Sequence, residues 1–226
     1  MTRSTIPTAI GLIAAALLYG GCSPSPQKPG PGDYAPPFLE AENFGVRERM
    51  FSIPMMYDLT TGNNYDVGDM RTRFFSLTRE TNLSADKYLG HINTKLLSWG
   101  YDMVVYDETG NVLATVDHRL GKSFFNFGGF VMDIKNPQGK TVGVLKQDPF
   151  AFWNSSLWKY FDVRDPSTGE VISRIECTSL MPDTYHVSNR KKTLDNRVLA
   201  GIVGILDQIE DEENDSDTDN DSSSDD

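Results

Sequence analysis

Cysteine is scarce, with Cys22 and Cys177 the two in 226 residues. They build no disulfide framework once Cys22 is given the separate task argued below, and Cys177 falls in the alternating run Val171 to Cys177, where a small packing residue is expected. Histidine is nearly as rare. His91, His118 and His186 are scattered over strand-like runs without metal-ligand spacing, so no metal centre is expected from them. The sequence has no nucleophile elbow, no P-loop and no paired-histidine zinc motif. Asp102, Asp107 and Glu108 lie close along the chain, but Asp107 and Glu108 sit in a turn where acidic residues are ordinary. No catalytic site and no cofactor are expected, and the chain is read as a protein that is not an enzyme.

Positive charge is also short. There are 21 Lys and Arg against 32 Asp and Glu, a formal charge of −11. Residues 207–226 hold eleven of those acids and no base, so subtracting eleven from 32 leaves 21 acids for 21 bases in the rest of the chain. The body is close to neutral and the acidity belongs to a tail. A nucleic-acid groove needs a concentrated Lys/Arg surface to release counterions from phosphate, and a neutral body argues against one.

Long apolar runs are missing too. Ile6 to Tyr19, fourteen residues after Arg3, is the longest near the N-terminus, and a helix needs about 20 to cross ~30 Å of hydrocarbon. The layout is that of a cleaved signal peptide. Leu18-Tyr19-Gly20-Gly21-Cys22 resembles the lipobox of bacterial lipoproteins, in which small residues precede a cysteine that receives diacylglycerol and becomes the new N-terminus. Cys22 is the expected lipidation site, and the protein is expected on the bacterial cell envelope, with Ser23 compatible with the outer membrane. Plain secretion to the periplasm or beyond is the alternative. Buried acyl chains contribute about 0.8 kcal/mol per CH₂ and would hold the chain firmly to a membrane. The following Pro/Gly-rich residues, counted to position 45, read as a semi-extended tether.

What is abundant is strand and turn. Tyr101–Tyr106, the turn Asp107-Glu108-Thr109-Gly110 and Asn111–Val116 form a hairpin pattern that recurs around Gly139 and Gly169, spaced 29 and 30 residues apart. Glycine supplies positive φ where each hairpin reverses. A sheet of so many strands is expected to curl into a barrel or sandwich, because a flat one would expose edges and one apolar face. The runs Lys122–Gly129 and Asp148–Trp158 are irregular.

Asp195 to Ile209 breaks the pattern. Asp195 is a good N-cap, and Val198, Leu199, Ile202, Val203, Ile205, Leu206 and Ile209 cover a broad arc at 100° per residue, with Ala200, Gly201 and Gly204 on the remainder. From Val198 to Leu206 no side chain is polar. A helix apolar all round is buried in a core or a membrane, and this one is too short for the second. Fifteen residues would extend ~22 Å, matching the ~20 to 26 Å of a six- to eight-residue strand. Such a helix fits lengthwise inside a barrel.

Together these residues resemble the LURP-one-related family, which shares a tubby-like fold with the phospholipid scramblases. Lys95–Gly100 leading into the first hairpin is similar to the family's repeated strand unit, and Asp183-Thr184-Tyr185-His186-Val187 before the apolar helix resembles its last strand and central helix. The resemblance implies a mainly β, tubby-like antiparallel barrel of about twelve strands around a hydrophobic C-terminal α-helix. It also implies a binding or scaffolding role near membranes rather than catalysis.

The expected organisation is a signal peptide over 1–21, a tether over 22–45, a barrel over 46–210 and a disordered acidic tail over 211–226. In that tail Asp215, Asp217, Asp219, Asp221 and Asp226 approach the spacing of a calcium loop, without its central glycine, its final glutamate or a following helix; loose screening by divalent ions in a self-repelling tail is the simpler expectation. The expected partners are the membrane, through the N-terminal lipid, and a lipid or envelope protein. The alternative is a lipocalin-like carrier of a small apolar ligand. What fills the barrel separates the two.

Overall fold

The computed structural model describes residues 25–30, 34–49, 52–75, 78–95, 102–119, 131–147, 159–177 and 183–218 of the chain. Twelve strands follow one another along it. They are β1 (Asn43–Glu48), β2 (Met56–Thr61), β3 (Tyr65–Phe75), β4 (Thr78–Ser84), β5 (Tyr88–Lys95), β6 (Asp102–Asp107), β7 (Val112–His118), β8 (Val131–Lys135), β9 (Thr141–Gln147), β10 (Lys159–Arg164), β11 (Val171–Cys177) and β12 (Thr184–Ser188). Each strand pairs antiparallel with its sequence neighbours, and β1 also pairs with β12, so the meander closes into a barrel. Closure removes every unpaired edge. The fold is the mainly β barrel with one C-terminal helix that the sequence implied.

The three evenly spaced hairpins share one device. In the β6–β7 turn the Asp107 carboxylate accepts the backbone N–H of Thr109 at 2.9 Å and of Asn111 at 2.8 Å. The Asn136 side-chain oxygen does the same for Gln138 and Lys140 in the β8–β9 turn, as does Asp165 for Ser167 and Thr168 in the β10–β11 turn. A side-chain oxygen that imitates a backbone carbonyl fixes each turn. Gly110, Gly139 and Gly169 stand at φ of 88°, 77° and 74°, and a Cβ on any of them would meet nothing within 4 Å, so glycine is there for its backbone freedom rather than for space.

Inside the barrel runs α1 (Asn196–Thr218). Alternate residues of every strand point at it, among them Val46, Leu59, Leu83, Val105, Ile134 and Ile175, each fully buried. Every residue of α1 from Arg197 to Gln208 is buried. Asp195 caps the helix through its Oδ1, which accepts the backbone N–H of Arg197 at 2.9 Å. At Gly201 an added Cβ would come 2.8 Å from Met103 Sδ and 2.9 Å from Ile92 Cδ1, so strands β5 and β6 close onto bare helix backbone there.

Two boundaries differ from those the sequence suggested. The helix does not stop at Ile209 but continues to Thr218, so the first residues assigned to a solvated tail are helical; the run 208–214 contains Gln and Glu, good helix formers, and no glycine or proline to end it. The tether is also shorter than positions 22–45. Phe38 and Glu40 bound a 3-10 turn, Phe38, Ala41 and Phe44 are buried in the core, and β1 begins at Asn43. Those apolar side chains draw the segment onto the barrel mouth. Within the Pro-rich part, Gln27 forms a parallel bridge to Tyr65, donating its N–H to the Asn64 carbonyl at 3.1 Å and accepting the Asp66 N–H at 2.8 Å. That register needs only one non-proline residue, and Gln27 is it.

Candidate functional site

A ligand site inside the barrel would need space that α1 leaves free. Where α1 faces β2 to β5 the described residues leave a cavity of about 10 Å³, lined by Tyr57, Thr72, Thr81, Thr94, Gly201 and Gln208 and others. That is the room of a single water molecule. Gln208 points its buried Oε1 there without a protein partner, while Thr72 and Thr81 share a hydrogen bond of 3.0 Å.

The plug is fastened at both ends by polar groups. At its N-terminus the Arg197 guanidinium donates to Asp195, to the Leu89 carbonyl and to Glu108, each at 2.8 or 2.9 Å, joining helix to β5 and to the β6–β7 turn. Those acids hold the Arg197 pKa above its ordinary value, the hydrogen bond to Asp195 first. Beside it Asn196 Nδ2 donates to the carbonyls of Phe38 and Ala41, and Asn189 Nδ2 donates to Asn196 Oδ1 and to the Leu194 carbonyl, while Ser173 donates to Asn189. Every buried member of this network is partnered, which is what makes burying it affordable.

At the other end Tyr57 and Tyr185 donate to the two oxygens of Asp207, at 2.7 and 3.3 Å. Carboxylate oxygens of Glu48, Asp183 and Asp207 lie within 4.8 Å of one another there. Three acids at that separation have the donor chemistry of a hard-cation site. Exposed and half-buried acids adopt such spacings without an ion as well.

The outer surface carries the larger features. A groove of about 600 Å³ crosses β2, β1, β12 and β11. Its floor is Gly45, where an added Cβ would come 2.4 Å from Thr60 Oγ1. Its walls carry Arg174, Arg190, Lys191 and His186 against the single acid Glu176, together with the amides of Asn43 and Asn64. Arg174 is tied to Asp162 and Lys191 to Glu170, which positions both cations at the rim. The register puts Thr60, Gly45, His186 and Glu176 side by side across four strands. No sequence pattern shows such a row, because its members come from opposite ends of the chain.

The residues singled out from sequence fall in different places. Cys22 lies outside the described residues, as do Asp219, Asp221 and Asp226; Asp215 and Asp217 belong to the helical backbone of α1. Val198, Leu199, Ile202, Val203, Ile205 and Leu206 are 0 to 3% exposed along the barrel axis, and Ile209 is partly buried at its end. Cys177 is buried as a free thiol. His91 stacks on Tyr106 at 4.5 Å and accepts or donates a 2.9 Å hydrogen bond with Tyr88; His118 is half-buried, and desolvation lowers its pKa; His186 lines the groove. Asp107 and Glu108 hold a turn and the Arg197 clamp rather than a shared proton. The irregular runs at 122–129 and 148–158 lie outside the described residues.

No helix among the described residues is long and apolar enough to cross a membrane, which leaves strands out of account. No curated protein matches the chain. The profile of one family matches residues 90–203, from β5 through the first third of the central helix, which is half of the chain. With the closed barrel and its helical plug beside that match, the chain belongs to the LURP-one-related family.

Proposed function

We propose that the protein is a non-catalytic binding module of the bacterial cell envelope, tethered to a membrane through a lipid on Cys22 and engaging a lipid or an envelope protein with the outside of its barrel. The observation that carries this reading is the filled interior. A barrel whose axis is occupied by its own helix has only its surface to offer a partner, and the family is not known for catalysis. A carrier of a small apolar ligand would first have to move α1, together with the Arg197 and Asp207 bonds that hold it.

The membrane part of the reading rests on the sequence around Cys22 and is tested by feeding cells a labelled fatty acid and fractionating them. The native chain is expected to take up label and sediment with membranes, and the Cys22→Ala variant to do neither. Equal labelling of the two chains overturns the anchor. Crosslinking in cells, followed by mass spectrometry of what is joined to the native chain but not to Cys22→Ala, identifies the partner.

A further inference from the structure

We propose that the barrel interior holds one water molecule as a structural ligand, bridging Gln208 of the central helix to the threonine hydroxyls of β3 and β4. The site lies wholly inside the fold and is independent of any lipid on Cys22.

Polar side chains gather on one side of the plug. Thr72 on β3 and Thr81 on β4 stand opposite each other in the antiparallel register, and Thr94 on β5 lies two residues beyond Ile92, the partner of Thr81. All three are buried, and both chain neighbours of each are more exposed, so the threonines occupy inward positions of their strands. Two residues away on those strands the inward positions hold Met70, Leu83 and Ile92. Hydrocarbon thus gives way to hydroxyl at one level of the barrel. There α1 presents Gly201, Ile205 and Gln208, which recur on one face at helical spacing.

One donor is missing from this corner. Gln208 is 6% exposed, and its Oε1 meets no donor from the protein. Leaving a buried acceptor unpaired is costly, because it had water to bond before folding. Thr72 and Thr81 share a single hydrogen bond of 3.0 Å between their hydroxyls, so whichever accepts still has its own proton to give and both oxygens retain lone pairs. A water molecule answers both needs, donating one proton to Gln208 Oε1 and exchanging a second hydrogen bond with the threonine pair. The cavity these groups share is about 10 Å³, the size for one water and too small for an organic ligand. Its lining includes no charged side chain, which disfavours a cation.

The bridge would complete the fastening of the plug. Arg197 ties α1 to β5 and to the β6–β7 turn, while Tyr57 and Tyr185 tie it to β2 and β12. Gln208, through the water, extends the polar attachment to β3 and β4.

Crystal structures of the native chain and of Gln208→Leu, at a resolution that shows ordered water, test the site. The native chain is expected to show one water at about 2.6 to 3.2 Å from Gln208 Oε1 and from a threonine hydroxyl, and Gln208→Leu is expected to lack it. An empty native cavity, a Gln208 amide turned so that its Nε2 donates directly to a threonine, or the same water retained in Gln208→Leu each overturns the proposal. Urea unfolding of Gln208→Leu, Thr81→Val and the double variant gives a second reading. Each single change is expected to raise the unfolding constant about fivefold, and the double change by less than the product, since the first already releases the water. A dry corner predicts the opposite sign for Gln208→Leu, which would then stabilise by removing an unpaired acceptor. That sign, or effects that multiply, also overturns the proposal. Should a variant fail to fold, the native structure alone decides.

Discussion

Tyr57 Oη and Asp207 Oδ2 meet at 2.7 Å across 150 residues of chain, both about 1% exposed. The contact joins the start of β2 to the last turn of the buried part of α1. A charge-assisted hydrogen bond in a dry setting contributes about 1.5 to 3 kcal/mol. Tyr57→Phe is expected to destabilise the protein by about that much, since Asp207 then loses the shorter of its two tyrosine bonds. Urea unfolding measures it. A midpoint unchanged at equal slope would show that the contact does not stabilise the plug.

The two helix glycines should respond in opposite directions. Gly201 faces Met103 and Ile92 at under 3 Å from an ideal Cβ, whereas at Gly204 the nearest atom, Met70 Cε, is 3.6 Å away. Gly201→Ala overpacks a closed interior and is expected to cost about 1 to 3 kcal/mol. Gly204→Ala adds ordinary contacts and removes a glycine from a helix interior, and should stabilise by up to about 1 kcal/mol. Parallel melts of the two variants decide it; a like sign for both contradicts the packing described here.

How much of this was readable beforehand depends on whether a signal is local. The apolar stretch from Val198 to Leu206 announced a buried helix, and each β6–β7-like hairpin carried its own Asp or Asn and glycine, because both depend on residues a few places apart. Asp207 was counted with the acidic tail, since composition cannot tell a buried acid held by two tyrosines from a solvated one. The Asn189–Asn196 network carries no local signal, because its partners Phe38, Ala41 and Ser173 lie far away along the chain. Gln27 lay in a stretch whose prolines argue against pairing, and the groove joins residues 43–64 to residues 171–191, a closure that only the β1–β12 register reveals.

Removing the plug should remove the fold. A chain ending at Leu194 loses Asn196, Arg197 and every apolar side chain of α1, leaving the strands facing an empty axis. It is expected to show no cooperative thermal transition. A truncated chain that still melts cooperatively would mean the barrel stands without its helix, and would return the apolar-ligand carrier to consideration.

Acid should weaken the hairpins in a defined window. The Ser167 hydroxyl, with backbone N–H groups of Ser167 and Thr168, holds the Asp165 carboxyl down to a pKa of about 2, from an ordinary value near 3.8. Because the folded value is the lower one, the unfolded chain binds more protons between the two, and stability rises with pH across that interval. Asp165 therefore contributes fully above its unfolded value, and the contribution is lost as pH falls through the folded one. Asn136 shows that an amide oxygen can make the same turn, so Asp165→Asn is expected to fold while lacking this titration. The melting temperature of the variant should fall less than that of the native chain between pH 4 and pH 2, with little difference in slope above pH 5. Parallel slopes from pH 4 downward would place the acid sensitivity elsewhere, with Asp107, whose carboxyl is held low by the Thr109 hydroxyl and by Asn111, next to be changed.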